Sequence, residues 1–235
     1  CLLGLGSAAM YFEPGMEAGI HTVAILAAMF HLINHSTFKG CLFMVVGIID
    51  WETGTRDIRK LGGLINLMPI TFTLAVIGCF SMAGLPPFNG FLSKELFFAG
   101  VLNASKLKIF HMEPWGLLLL VVALAASILT FVYCMIFVFK TFTGKFQSHK
   151  LEKKSLRAPR GMLFPPAVLA LLVILFFLFP NLLATFLLIP AVSSVLPDLA
   201  GVGFEFSPIK AWHGWTPELM MTVGVIVLGS LLFAH

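Results

Sequence analysis

Apolar residues run along this chain in long blocks separated by short polar breaks. Blocks of about 20 apolar residues are the length of a membrane span. Residues 1–12 are a short apolar stub, and Glu13, Pro14, Gly15 and Glu17 make a turn. Residues 18–49 form one helical pattern of about 32 residues; at about 1.5 Å per residue it must tilt, leave the membrane or be locally irregular. A polar loop, DWETGTRDIRKLGG, occupies 50–63 with three acids and three bases. Pro69 opens a helix that reaches about Met82, and AGLPPFNGFLSKE (83–95) then interrupts it before apolar character resumes from Leu96 to Leu102. Pro114 suits the first turn of a span at about 115–139. A further span is predicted at about 163–180, and an apolar or amphipathic piece at 181–196. Residues 197–217 carry loop chemistry, and a last span begins near Glu218.

Composition turns these blocks into membrane spans. Of 235 residues, 59% are hydrophobic and only 11% charged, against roughly 25% charged in soluble domains. Mean hydropathy is +0.98. Such a chain has too little polar surface for a soluble enzyme and too much apolar surface for a disordered one. The expected fold class is all-α: a polytopic transmembrane helix bundle of about six spans with one discontinuous helix, plus a stub and a truncated final span. The start at Cys1 and the end at His235, directly after an apolar run, read as the limits of an internal piece of a longer protein. The domains expected are a partial helical bundle (1–142), a basic loop (143–161) and C-terminal helices with an extracytoplasmic loop (162–235). Trp51, Trp115, Trp212 and Trp215 sit near the ends of apolar runs, where an aromatic belt falls.

Net charge is +4, but one segment supplies it. Residues 140–160 hold seven basic side chains (Lys140, Lys145, Lys150, Lys153, Lys154, Arg157, Arg160) against Glu152, a local +6 that leaves the remainder at −2. This is topology, not nucleic-acid binding: the positive-inside rule places loop 140–160 in the cytoplasm and 103–113 and 181–217 outside. Docking of anionic lipid or of a neighbouring protein chain is a sharper reading of the same loop. Cys1, Cys41, Cys79 and Cys134 lie far apart in or beside apolar runs and read as buried free thiols. His21, His111, His149 and His213 fall near turns or ends and read as solvated or interfacial.

The few titratable groups inside apolar runs carry the functional argument, because a charge at the bilayer centre costs about 2.5–3.5 kcal/mol and normally faces a polar path. In HLINHSTFKG, His31, His35 and Lys39 stand at i, i+4 and i+8, on one helix face. Their spacing of about 6 Å per step suits bridging by one or two waters, with Asn34 and Ser36 as nearby partners. Groups that each hold and release a proton in a low-dielectric bundle form a proton relay. Structural polar residues satisfied by neighbouring helices, and metal ligation by the histidine pair, are the competing readings. The second constellation is the break itself: Gly84, Pro86, Pro87 and Gly90 free backbone groups, as interrupted helices at ion sites do, and Lys94 stands beside them. A loop lysine snorkelling to the interface is the alternative for Lys94. Lys39 and Lys94 are the only lysines within the apolar runs proper. No cofactor fingerprint, metal framework or nucleic-acid-binding stripe appears.

Together, HLINHSTFKGCLFMVVGIID followed by LPPFNGFLSKE resembles the antiporter-like membrane subunits shared by respiratory complex I and the Mrp multisubunit sodium/proton antiporters. DWETGTRDIRKLGGL and the apolar tail with WHGW look most like the large subunits of the Mrp branch. The resemblance implies an inverted pair of five-helix bundles, of which this chain holds the second and the start of a C-terminal extension. It implies that His31, His35 and Lys39 match the central relay and Lys94 the terminal lysine at the discontinuous helix. The Glu/Lys pair of the first bundle has no counterpart here. The function expected is that of a transporter subunit, not an enzyme, exchanging Na⁺ for H⁺ in a bacterial cell membrane beside other membrane subunits. A proton-pumping subunit of a complex I-type enzyme or membrane-bound hydrogenase, and a scaffold with purely structural lysines, are the rival expectations.

Overall fold

The computed structural model describes residues 18–105, 116–146, 158–195, 208–210, 212 and 214–234. The stub at 1–12, the turn at 13–17, Cys1, Trp115, His111, His149, His213 and most of the basic and 197–217 loops lie outside them, and of His21 only the backbone is described. Among the described residues the structure is helical, with no strand. α1 spans Ala18–Thr53, α2 Pro69–Ala83, α3 Asn89–Ser105, α4 Gly116–Phe142 and α5 Arg160–Leu178. Then come α6 (Pro180–Leu183), a π-helical turn (Ala184–Leu188), α7 (Ile189–Val195) and α8 (Pro217–Ala234). Among the described residues, four helices are long and apolar enough to cross a membrane: α1 (from Ala24), α4, α5 and α8. α2 (15 residues) and α3 (17 residues) are each shorter than the roughly 20 residues of a span and read as two arms of one interrupted crossing.

α1 is 36 residues long, about 54 Å at 1.5 Å per residue. It continues four residues past the predicted end at 49, so Asp50–Thr53 is helix, not loop. The turn that follows is closed by local bonds: Thr53 donates through Oγ1 to the Ile49 carbonyl (2.7 Å) and Arg56 pairs with Asp50 at 2.8 Å. Gly63 N–H donates to the Thr143 carbonyl (2.9 Å), which puts loop 54–63 and the start of the basic segment at one end of the bundle.

Four apolar clusters hold the helices together. Cys41, Val45, Ile49, Leu74, Phe142 and Ala170 join α1, α2, α4 and α5. Leu42, Cys79, Phe98, Phe131, Cys134 and Val225 join α1, α2, α3, α4 and α8. The N-terminal helices and those after the basic segment therefore share one core. Cys41, Cys79 and Cys134 are free and buried. Leu117 and Phe164 (each 71% exposed) and Leu231 (56%) turn outward; such faces suit lipid or neighbouring subunits, because hydrocarbon solvates them without the cost water imposes. Trp51, Trp212 and Trp215 are exposed, the last two in a T-shaped contact just before α8.

Candidate functional site

The break between α2 and α3 builds the site. α2 ends in a Schellman motif: Gly84 N–H donates to the Ser81 carbonyl and Leu85 N–H to the Phe80 carbonyl, both at 2.9 Å, with Gly84 left-handed at φ 78. Pro86 and Pro87 cannot continue the helix, and α3 starts at Asn89. The break is thus only 84–88, shorter than the predicted 83–95. Gly90 lies in the first turn of α3, and Lys94 lies on that helix rather than in a loop.

Each residue of this corner has a buried partner. Ser81 Oγ donates to Asn89 Oδ1 (2.7 Å) and accepts from Gly90 N–H (3.1 Å), satisfying one of the orphan donors of a helix start. Asn89 Nδ2 donates to Asn34 Oδ1 (2.9 Å) and Thr37 Oγ1 (3.2 Å), while Asn34 Nδ2 donates to the Asn89 carbonyl (3.3 Å). Ser93 Oγ donates to the Gly90 carbonyl (3.1 Å) and lies 3.3 Å from His31 Nδ1. Asn34, Ser81, Asn89 and Ser93 are all fully buried. A Cβ on Gly90 would run into the Ser81 main chain, so only glycine permits this approach of the two arms.

Lys94 is 9% exposed and donates through Nζ to the Ala83 carbonyl at 2.7 Å. Ala83 is the last residue of α2, so the ammonium meets an unsatisfied carbonyl at the negative end of a helix dipole. The lysine is therefore fixed by the break, not snorkelling away from it. Gly84 also makes room for its stem: a Cβ there would strike Lys94 Cδ.

On α1, the rings of His31 and His35 stand 5.8 Å apart and Phe38 packs edge-on against both. Lys39 Nζ lies 5.8 Å from the centre of the Tyr133 ring on α4, and Tyr133 donates its hydroxyl to Met82 Sδ. His31, His35, Lys39 and Lys94 all line a single cavity of about 320 Å³, closed further by Ser127, Thr130 and Tyr133 of α4. Ser36 bonds the Ile33 carbonyl and, like His31 and His35, is exposed. A second cavity of about 180 Å³ continues from Lys39 toward Val46 and Phe137. Among the described residues, no Asp, Glu or Cys joins the two histidines as a third metal ligand.

The sequence does not single out the Asn34–Asn89–Ser81 network or Tyr133. Asn89 reads there as one more helix-breaking residue, and its partners stand 8 and 55 positions away.

The transmembrane family described as NADH:quinone oxidoreductase/Mrp antiporter matches residues 16–114. An Na(+)/H(+) antiporter subunit of Alkalihalophilus pseudofirmus is 55% identical over 99% of this chain and 29% of its own length. The Na(+)/H(+) antiporter subunit of the same type in Bacillus subtilis is 52% identical over 98% of the chain and 28% of its length. The chain thus spans less than a third of the curated relatives it matches. A solved Mrp complex from Dietzia sp. DQ12-45-1b contains a chain 34% identical, with a TM-score of 0.69, over 99% of this chain and 23% of that one. The membrane-bound sulfane sulfur reductase, an archaeal respiratory membrane complex, shares the fold at 24% identity and a TM-score of 0.57. With near-complete coverage of its own length at up to 55% identity, this chain is similar to one part of the Na(+)/H(+) antiporter subunits, and its residues 16–114 match the transmembrane family of NADH:quinone oxidoreductase and Mrp antiporter proteins.

Proposed function

We propose that this chain carries the second half-channel of a subunit in a bacterial membrane Na⁺/H⁺ antiporter and relays protons through His31, His35, Lys39 and Lys94. The observation that carries the reading is their convergence: residues from α1 and α3, up to 63 positions apart, line one cavity at a helix break. The cavity of about 320 Å³ has room for several waters, and side chains spaced about 6 Å along α1 are within reach of bridging by one or two of them. Lys94, held on the end of α2, is the terminal group at the interrupted crossing, and charge on one lysine repels a proton from its neighbours. Proton-motive force would drive Na⁺ export through the whole complex, with other membrane subunits and the bilayer as partners. The antiporter reading is favoured over a redox-driven pump by the relatives' own names. The basic loop 140–160 faces the cytoplasm on this reading, which places loop 54–63 there too.

The test replaces Lys39 and Lys94 singly with alanine in the whole complex. Na⁺-dependent ΔpH is then measured in vesicles beside a blue-native gel. Loss of exchange in fully assembled complex is expected for each. Undiminished exchange rejects the relay, and loss that merely follows loss of assembly assigns the lysines to packing.

A further inference from the structure

Three side chains belong to both cavities: Lys39, Met82 and Tyr133. They stand between a half-open cavity that holds both histidines and Lys94 and a second half-open cavity lined otherwise by Leu42, Phe43, Val46, Cys79 and Phe137, with Tyr133 itself 44% exposed. The two are stacked along the bundle. The first runs beside α4 from Ala123 to Tyr133, and the second continues from Tyr133 to Phe137. That direction leads to Phe142, Thr143 and loop 54–63.

Building on the relay reading, we propose that Tyr133 is a positioning residue that holds charged Lys39 between the two cavities and so gates its exchange with the second. The ring faces the ammonium at 5.8 Å, within the range of a cation–π contact. That attraction acts on the ammonium and vanishes when the amine is neutral, so the ring responds to the charge of Lys39. Charged Lys39 stays beside the histidines. Neutral Lys39 is released toward the second cavity, whose walls offer a charge few polar partners. The other tether of the ring is weak: its hydroxyl donates to the Met82 thioether, a poor acceptor, at 2.8 Å. Met82 is the penultimate residue of α2, next to the Ala83 carbonyl that holds Lys94, so this side chain and the terminal lysine rest on the same helix end.

The experiment compares Tyr133→Phe, Tyr133→Trp, Tyr133→Leu and Lys39→Ala in the whole complex. It reads the maximal rate and apparent KM of Na⁺/H⁺ exchange in vesicles, normalised to assembled complex. Tyr133→Leu is expected to lower the maximal rate by about fivefold or more with apparent KM for Na⁺ unchanged, the scale of a lost, partly desolvated cation–π contact. Phe and Trp, which keep a ring face, should stay within about twofold of the wild type. A wild-type rate in Tyr133→Leu, or equal loss in Phe and Leu, overturns the proposal while leaving the relay standing. Should Tyr133→Leu not assemble, Tyr133→Met, which fills similar space without a ring, is read by the same criteria. A wild-type rate in Lys39→Ala instead overturns the relay itself, and the gate with it.

Discussion

Asn89 is the residue whose removal should be felt most widely, because one side chain ties three helices together. In Asn89→Ala, Ser81 Oγ loses its acceptor, and Asn34 Oδ1 and Thr37 Oγ1 lose their donor. Thr37 still donates to the Asn34 carbonyl at 2.7 Å, and Ser81 still accepts from Gly90 N–H, so neither is stripped of every partner. Asn34 Oδ1 loses the Asn89 amide that donates to it and stays fully buried. A buried group left unpaired costs about 1–3 kcal/mol, although polar pairs in membrane bundles average nearer about 0.6 and reach about 1.7 kcal/mol. One orphaned amide oxygen, a weakened Ser81 and a small void together give about 2–4 kcal/mol. The assay is thermal denaturation of the detergent-solubilised complex for Asn34→Ala, Asn89→Ala and the double variant. The double variant has no orphaned amide, so its destabilisation should fall short of the sum of the singles by about 1 kcal/mol. Additive losses, or an Asn89→Ala complex as stable as the wild type, would refute the account of the corner as one coupled network.

Two further outcomes concern glycines, and a third the loop. Gly90→Ala should lower assembly and thermal stability by about 1–3 kcal/mol through overpacking against the Ser81 main chain. Gly47→Ala, with nothing within 4 Å of the new methyl, should be neutral or slightly stabilising in the same melt. In the loop, hydrogen bonds from Arg59 hold the partly exposed Asp57 carboxyl at about 2, below the ordinary carboxylate range. A depressed acid contributes order above its ordinary range and loses it as pH falls through the lowered value. The pair should therefore persist from alkaline pH down through the ordinary carboxylate range and break only near pH 2, read from the Arg59 Nε chemical shift in labelled complex. A transition at the ordinary carboxylate value of about 4 would contradict it.

The i, i+4, i+8 spacing of His31, His35 and Lys39 was readable because a helix face is a local property of the sequence. The stop at Gly84–Pro87 was readable for the same reason: a left-handed cap and two prolines have no other easy use in an apolar run. The restart at Asn89 was not. Asparagine and glycine favour turns by their local bonding, yet here both serve contacts to α1 and α2 that no local pattern encodes. Asp50–Thr53 failed in the opposite sense: its charges suggest a loop, but Thr53 bonds back to Ile49 and Glu52 is buried, so the helix continues. Tyr133 carries no motif at all, and its place beside Lys39 arises only when α4 packs between α2 and α8.

The acceptor that fixes Lys94 is a main-chain oxygen, and this sets what genetics will see. No side-chain substitution deletes the Ala83 carbonyl, so an alanine scan of α2 would pass over a principal anchor of the terminal lysine without a signal. Deleterious variants would cluster instead at Gly84, where an added methyl strikes the stem of Lys94, and at Gly90, where it runs into the Ser81 main chain. A map of mutational sensitivity across this region would then look like a packing map, with its peaks on glycines, although the thing being protected is the position of a single cation. Replacing the amide whose carbonyl is Ala83 by an ester weakens that oxygen as an acceptor and leaves every side chain in place; because it also removes the Gly84 N–H that bonds the Ser81 carbonyl, its effect is read against an ester placed one residue earlier.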